Sequence, residues 1–507
     1  MYIVFTEGLR PCQPGIINVT ACGDNRQTLT FFYGVIESLH HKNNGIPDNL
    51  RERHMTYHKV RRGLDIPLVG MPGPQMGIGP EPATIALRTA ESIGFKFKVI
   101  VEEGQAVKRG EVLCHTRQFP EILFRSPAGG TIREIRRGAR RAIQEIVIAP
   151  ADTEETEQLR IWTESELAEV EPDTLRKHLL TAGLWPLIQQ RPLAKIARPD
   201  ARPAAIFING TATAPLQAKP SVLLENRGED FTIGVRSLAR LTAGKTYLCL
   251  HARDNSIPGA EDLKKIETHT FDGPHPSGSA GVHIRRIQPL RRGETAWVIR
   301  AEDAADIGYT LRTGHPPIRR VIALAGPSVK QPAYIQTRAG ADLATLVADR
   351  LNDPGPQRFI NGDVLTGSIT DRSNHLSIHH STVTVIPEGT EREFMGWAMP
   401  GFSYYSALRT FASSMLPRRK YSLDTRLHGG RRPIINIGQW EKVLPFDIHL
   451  SYLLRAIEAG DVQEAEALGL LELAEEDVAL CAFIDPSKTE VCDRIRHGLN
   501  LYETENL

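Results

Sequence analysis

The chain has few cysteines, and none of them are grouped. Six occur in 507 residues, at positions 12, 22, 114, 249, 481 and 492, and no two form a CxxC pair. That spacing excludes a disulfide framework, and it leaves an iron–sulfur cluster or a structural zinc ion without clustered thiolates. Long apolar runs are missing too. No stretch approaches the roughly 20 apolar residues of a membrane span, so the chain cannot itself carry an ion across a bilayer. Neither sign of charge dominates, with 61 Lys and Arg against 60 Asp and Glu. A global basic signature for nucleic acid is therefore lacking. The opening MYIVFTEGLRPCQPG has no basic segment followed by a long apolar one, so no export signal is read. A reducing cytoplasm is the expected setting.

What is present suits three or four domains, each with its own core. Residues 1–54 are mixed in composition, with a loop-like NNGIPDN, and Met55 is an alternative start. This extension receives no function. From Thr56 the text becomes orderly. HKVRRGLDIPLVG, His58 to Gly70, reads as a short strand and then a Gly/Pro-rich loop through Pro82. VEEGQAVKRGEVL, Val101 to Leu113, sets apolar Val101, Val107 and Leu113 around Gly104 and Gly110, which supply left-handed turns. RSPAGGTIREI, Arg125 to Ile135, repeats the logic with a turn at Pro127, Gly129 and Gly130. Paired hairpins of this kind read as a lipoyl/biotinyl-like barrel-sandwich over residues 55–150. In carrier modules the tip between the halves presents a lysine, but here it reads HTRQFPEI, His115 to Ile122, so no covalent cargo is expected. Arg133, Arg136, Arg137, Arg140 and Arg141 make a basic hairpin tip, suited to acidic headgroups, an acidic partner or plain solvation.

The acidic ADTEETEQ marks a boundary, and an α/β pattern follows over 151–318. A helical stretch at Glu164–Ala182 precedes the buried strands AAIFING (Ala204–Gly210) and TYLCLHA (Thr246–Ala252), with a polar helix around Phe231–Leu241 between them. The loop of His269–Ile284 is rich in Gly and Pro, and strand then helix follow it. This alternation predicts a mainly parallel, Rossmann-like sheet. Residues 319–370 read as a small β-grasp unit. Residues 371–440 form a mixed connection, and 441–507 are helical, with Leu450, Leu453, Leu454 and Ile457 at helical spacing and Asp461 with Glu464 as a capping box.

Read together, RRGLDIPLVG, VKRGEVL, SPAGGTI, GLWPLIQQRP, FDGPHPSGSAG, ALAGPSV, VLTGSIT, FMGWAMPG and LGLLELAEEDVALCAF run in order from about residue 55 to 505. This text resembles the NqrA family, subunits of the bacterial Na+-translocating NADH:quinone oxidoreductases, with a wider kinship to the flavin subunit of complex I and the Rnf-complex C subunit. The resemblance implies a multidomain α/β plus β protein: barrel-sandwich, Rossmann-like domain, β-grasp of the SLBB (soluble-ligand-binding β-grasp) type and helical C-terminal domain. It implies a peripheral subunit on the cytoplasmic side of the bacterial inner membrane. NADH, flavins and iron centres are then expected on other subunits, some membrane-embedded, with ubiquinone as the electron acceptor. No nucleic acid is expected, and no catalytic residue can be named. The alternatives are a redox-inert scaffold and an Rnf-type electron-transfer subunit.

Three positions bear on cofactors. Where the flavin-binding relatives carry a glycine-rich loop, this chain reads AGLWPLI, Ala182 to Ile188. Only Gly183 remains, and Trp185 and Pro186 would obstruct a phosphate. Gly278 and Gly281 read as a structural loop. Where cluster-bearing relatives are rich in cysteine, Cys481 stands alone, with Asp485 nearby. His375, His379 and His380 lack an adjacent carboxylate or thiolate and read as surface or hairpin histidines, so no metal is expected. The best candidate for contact chemistry is Phe394 to Phe411, where Trp397, Met399, Phe402, Tyr404 and Tyr405 crowd near Arg409. Core packing, a partner interface and a quinone slot all want such groups. Trp397, Met399, Phe402, Tyr404 and Arg409 are the named quinone or partner contacts.

Overall fold

Seven short strands between Ile85 and Pro150 make the barrel-sandwich. One sheet is Ile85–Arg88, Ile143–Pro150, Gly130–Arg137 and Ala106–Val107. The other is Phe97–Val99, Val112–Thr116 and Leu123–Arg125. Leu113, Ile122, Phe124, Ile132 and Ile146 are fully buried in it. The computed structural model describes residues 56–506, apart from 264–265, 353–354, 391–395, 397–398, 408–409, 417–418 and 435–437. The extension 1–54 therefore lies outside the described residues.

Gly104 and Gly110 both sit at φ +85°, the left-handed turns their spacing demands. Gly130 serves differently. A Cβ there would lie 2.1 Å from the Ala149 carbonyl oxygen, so it permits close cross-strand approach. The segment ahead of the barrel is shared between neighbours. Thr56–Lys59 joins the edge of the α/β sheet, and Met76–Ile78 joins the edge of the β-grasp sheet.

In the α/β domain Ala205–Gly210, Lys245–His251, Glu267–Asp272 and Ala296–Arg300 run parallel. Across the sheet the order is 267–272, 245–251, 205–210, 296–300. The first strand in sequence is thus central; the next two add on one side and the fourth on the other. Gln189–Arg191 follows on the far side, antiparallel to Ala296–Arg300, and Lys195–Ile196 pairs with it as the edge. The expected single helix at 164–182 is two, Glu164–Glu169 and Pro172–Thr181, because Pro172 occupies a first helical position and cannot continue a preceding turn. Helices Gly228–Ala239 and Ala301–Thr313 pack so closely that a Cβ at Gly234 would meet the Ala304 carbonyl oxygen at 1.8 Å.

The β-grasp sheet orders its strands Ser368–Thr370, Gln357–Asn361, Thr382–Pro387, Arg319–Ala325, Ala333–Arg338 and Met76–Ile78. The strand after residue 371 is thus an inner member. The acidic linker is strapped down, with Glu154 paired to Arg338 and Glu157 to Arg125.

Helices Leu450–Ala459, Val462–Ala467, Glu475–Ile484 and Val491–Asn506 form the C-terminal domain. Leu453 and Leu454 are fully buried, as their spacing requires. Asp461 accepts from the Glu464 N–H at 2.9 Å, while its own N–H donates to the Ala456 carbonyl, so half of the capping box forms. One apolar core runs from Phe207, Tyr247 and Phe271 of the sheet through Val282 and Ile284 of helix Ala280–Ile287 into Leu453, Val478 and Ile495. No helix among the described residues is long and apolar enough to cross a membrane.

Candidate functional site

In an open parallel sheet, the place where strand order reverses leaves a crevice at the carboxyl ends that no crossover helix covers. Here that place lies between Ala205–Gly210 and Ala296–Arg300. A cleft of about 190 Å³ opens there, lined by Asn209, Thr211, Thr213, His275, Arg300 and Asp303, among others. Asp363, Thr366 and His379–Thr382 of the β-grasp part close it from one side, and Glu476 of the C-terminal helices from another.

The loop Gly273–Ser279 is stapled to the end of the first strand. Asn209 Nδ2 and Thr211 Oγ1 donate to the Gly278 carbonyl at 3.1 and 2.8 Å, and the Gly278 N–H donates to Thr213 Oγ1 at 3.1 Å. A Cβ on Gly278 would sit 2.7 Å from both threonine oxygens, so only glycine allows this approach. Thr213 Oγ1 also lies 3.1 Å from His275 Nδ1. Donating its proton there satisfies the hydroxyl and leaves the hydrogen of His275 on Nε2. His275 is 4% exposed, and Nε2 has no partner among the described residues. Arg300 is already committed. It forks onto Asp303 at 2.7 Å through both Nε and Nη2, and it donates to the Ile378 carbonyl at 2.9 Å.

Four carboxylates, from Glu302, Asp303, Asp363 and Glu476, face one arginine in this lining. That balance opposes a phosphate or other anion. The neighbouring helix Ala280–Ile287 has no side-chain cap, yet an internal carboxyl group lies against its first turn. The carboxylate of Asp477 lies against Gly281, where an added Cβ would be 2.4 Å from Oδ2. Asp477 is itself held by Arg191 at 3.2 Å and by the Ala474 N–H at 2.9 Å. Gly278 and Gly281 are therefore close-approach positions, and Gly281 stands in a helix rather than in the loop. The arrangement can hydrogen-bond a small polar group through His275 Nε2, and His379, also in the lining, carries a second buried Nε2 with no partner among the described residues.

The sequence-predicted positions fall apart spatially. Trp185 is completely buried, donates from Nε1 to the Ala197 carbonyl at 2.7 Å, and packs edge-on against Trp297. Cys481 is a buried helix thiol whose burial pushes its pKa up. Among the described residues no three His, Cys, Asp or Glu side chains are placed to share a metal ion. The reading of His375 as a surface histidine is corrected. It is 1% exposed, its Nδ1 lies 3.0 Å from Glu145 Oε2 and its Nε2 3.0 Å from Thr84 Oγ1. A carboxylate does stand beside it, 230 residues away in sequence. Of the basic tip, Arg136 turns inward to Glu145, and Arg133, Arg137, Arg140 and Arg141 stay exposed.

The aromatic segment divides. Tyr404 packs against Phe411 and His428, and Tyr405 against Tyr421 and Phe483. Burial pushes the Tyr405 phenol up to about 12. Met399 and Phe402 are each 59% exposed. Trp397 and Arg409 lie outside the described residues.

Several histidines around the sheet are buried or half-buried, His283 fully so. Burial, helped by neighbouring positive charge, lowers His58 and His178 to about 4 and His283, His379 and His380 to about 3. The unfolded chain takes up these protons near pH 6.5, whereas the folded chain does not until well below. Stability is therefore expected to fall as pH drops from about 6.5 towards 5, offset in part by Asp303 and Asp477, whose carboxyls burial raises to about 6 and about 7. Urea midpoints at pH 8 and pH 5 check this; equal midpoints would contradict it.

Asn209, Thr211, Thr213 and Arg300 had no separate signal in the sequence. The clue was positional: FINGTAT ends the first buried strand of an alternating pattern in small polar residues. Comparison with known proteins agrees with the architecture. Residues 58–151 match the model of an NqrA N-terminal barrel-sandwich hybrid domain, 170–316 that of an NqrA second alpha/beta domain, and 321–372 that of an NQRA C-terminal domain. The NqrA protein of the Na(+)-translocating NADH-quinone reductase of Yersinia pseudotuberculosis is 38% identical over 450 residues, covering 88% of this chain and 99% of that protein. Its counterpart in Neisseria meningitidis is 39% identical over 448 residues, covering 88% and 99%. That of Rhodopirellula baltica is 38% identical over 449, covering 88% and 98%. The chain belongs to the NqrA family of the Na+-translocating NADH-quinone reductases, an oxidoreductase complex of several subunits.

Proposed function

We propose that this chain is the peripheral docking subunit of such a complex, on the cytoplasmic side of the membrane and close to the site of quinone reduction. In this reading NADH, flavins and iron centres belong to other subunits, which pass electrons to ubiquinone and drive Na+ export. This chain then orients those subunits without a redox group of its own. The observation that carries docking is the apolar surface of one segment. Met399 and Phe402 (59% each), Met415 (88%), Leu416 (44%) and Leu427 (54%) are all exposed. Large apolar side chains concentrated in this way suit burial against a protein partner. Supporting the absence of a redox group, Trp185 fills the position of the relatives' nucleotide loop, and Asp477 takes up the anion-favouring helix terminus.

The test is substitution in the assembled complex. Replacing Met399, Phe402 and Met415 with Ser should reduce recovery of this subunit with the membrane-embedded ones, with unchanged melting of the isolated chain. Full assembly would reject the docking face. Trp397→Ala with Arg409→Ala separates the quinone role: lowered quinone turnover in a fully assembled complex would mark direct quinone contact, and intact turnover would leave docking as the whole role.

A further inference from the structure

A chain with balanced charge still carries one strongly unbalanced face. Lys59, the last residue of the edge strand, and Arg61 and Arg62 just after it meet Arg285 and Arg286, at the end of helix Ala280–Ile287. They surround an open basin of about 730 Å³. Pro289, Pro445 and Asp447 complete the lining. Among the described residues Asp447 is the only carboxylate there, and its side chain is 83% exposed, 3.7 Å from Arg62 and 3.8 Å from Arg285. Lys59, Arg61 and Arg286 are exposed, and their side chains make no hydrogen bond or ion pair among the described residues. Beyond Pro289 come the exposed Arg291 and Arg292, the latter paired with Glu466 at 3.0 Å. Arg61-Arg62 and Arg285-Arg286, far apart in sequence, thus gather around one basin.

Arg285 is also held by Glu472 at 3.0 Å, so five cations face two carboxylates. The excess positive charge repels itself, and an anion supplied from outside relieves that repulsion. Arginine forks match phosphate oxygens two at a time. The basin also lacks what a protein partner would use. Its non-ionic lining is two prolines, with none of the large apolar anchors that centre protein interfaces, and the exposed apolar side chains of 399–427 are a separate feature. We infer that this basin is a headgroup site for anionic phospholipid, holding the subunit to the membrane surface by phosphate contacts. The inference rests on the peripheral placement proposed above. Clusters of four to eight Lys and Arg at a cytoplasmic membrane surface attract anionic lipid by on the order of fivefold per cation.

The experiment is vesicle co-sedimentation of the full chain, which needs no other subunit, so failure here leaves the docking reading standing. Vesicles containing phosphatidylglycerol and cardiolipin should pull the chain down, and pure phosphatidylcholine should not. Raising salt from about 0.1 M to about 1 M shortens the screening length from about 10 to about 3 Å and should release it. Arg61→Glu with Arg286→Glu should weaken binding about 25-fold or more, at roughly fivefold per cation removed. Neither residue has an internal partner among the described residues, so melting should not change, and a melting scan checks this. Arg140→Glu with Arg141→Glu, at the other basic surface, should leave binding intact. The inference is overturned by failure to bind anionic vesicles, by equal binding of the Arg61/Arg286 variant, or by loss of binding in the Arg140/Arg141 variant. It is equally overturned if the Arg61/Arg286 variant keeps vesicle binding and loses assembly with the other subunits, which would make the basin an acidic-protein site.

Discussion

Glu145→Ala is expected to cost about 3–5 kcal/mol of folding stability, the usual penalty for leaving buried charges without their counter-ion. Glu145 is 2% exposed and lies where the barrel-sandwich meets the β-grasp part. Its Oε1 accepts from Arg88 Nη1 at 2.6 Å and its Oε2 from Arg136 Nη1 at 3.0 Å. His375 donates to it from both Nδ1 and the backbone N–H, at 3.0 and 3.3 Å. The ring's Nε2 is then free to accept from Thr84 Oγ1, so one carboxylate fixes the tautomer and orientation of the histidine. Arg88 also reaches Glu91 at 3.3 Å, and Glu91 is bonded to Ser377. Removing Glu145 takes the shorter of two ion pairs from Arg88, which is only 6% exposed, and leaves it the longer contact to Glu91. Glu145→Gln keeps the shape and should lose less. Burial works against the charge of Glu145, but His375 and Arg88 outweigh it and hold its carboxyl below the ordinary range. Its contribution is therefore complete above the unfolded pKa, near 4.3, and fades as pH falls through the lower folded value. Denaturant midpoints of the three proteins at neutral pH measure the loss, and a change within about 0.5 kcal/mol would show that the network is incidental.

That network was invisible in the sequence for a physical reason. Periodicity reports which face of an element is buried, and the apolar alternation around Ile146 did place Ile143–Pro150 in a core. It says nothing about the partner of a polar residue, and Glu145 and His375 are 230 residues apart. Glycines at turns were legible, since Gly104 and Gly110 need only local sequence to be recognised. Gly130, Gly234 and Gly281 were not, because each is required by a backbone or carboxylate arriving from elsewhere. The parallel sheet was legible because doubly covered strands are continuous apolar runs. Ala205–Gly210 and Lys245–His251 fall within a residue of the expected strands. The cleft was not read, although it follows from strand order. Only the assembled order reveals that FINGTAT ends at a reversal, and only the fold brings Asp363 and Glu476 over it.

Replacing Arg191 should be as damaging as replacing Glu145, and for a related reason. Arg191 ends the antiparallel strand beside the cleft, is 5% exposed, and reaches both Glu476 and Asp477 at the start of helix Glu475–Ile484. Glu476 is partly solvated and can turn to water. Asp477 is 1% exposed, and without Arg191 it keeps only the Ala474 N–H. Arg191→Met is expected to lose about 3–5 kcal/mol near neutral pH. Burial already pushes the Asp477 carboxyl up despite the arginine, so in Arg191→Met it rises further above its unfolded value. A carboxyl raised in this way penalises the folded state increasingly from its unfolded pKa up to its folded one, so a higher folded pKa extends the penalty to higher pH. The loss should therefore be larger at pH 8 than at pH 5, the opposite trend to a simple packing defect. Adding Asp477→Leu to Arg191→Met should restore part of the stability, because two apolar groups remove the stranded charge, and the double-mutant cycle gives the coupling. If the two losses simply add, the pair is no latch. If they couple, the same contact explains why Gly281 must lack a side chain, and why the C-terminal helices stay closed over the cleft beside His275.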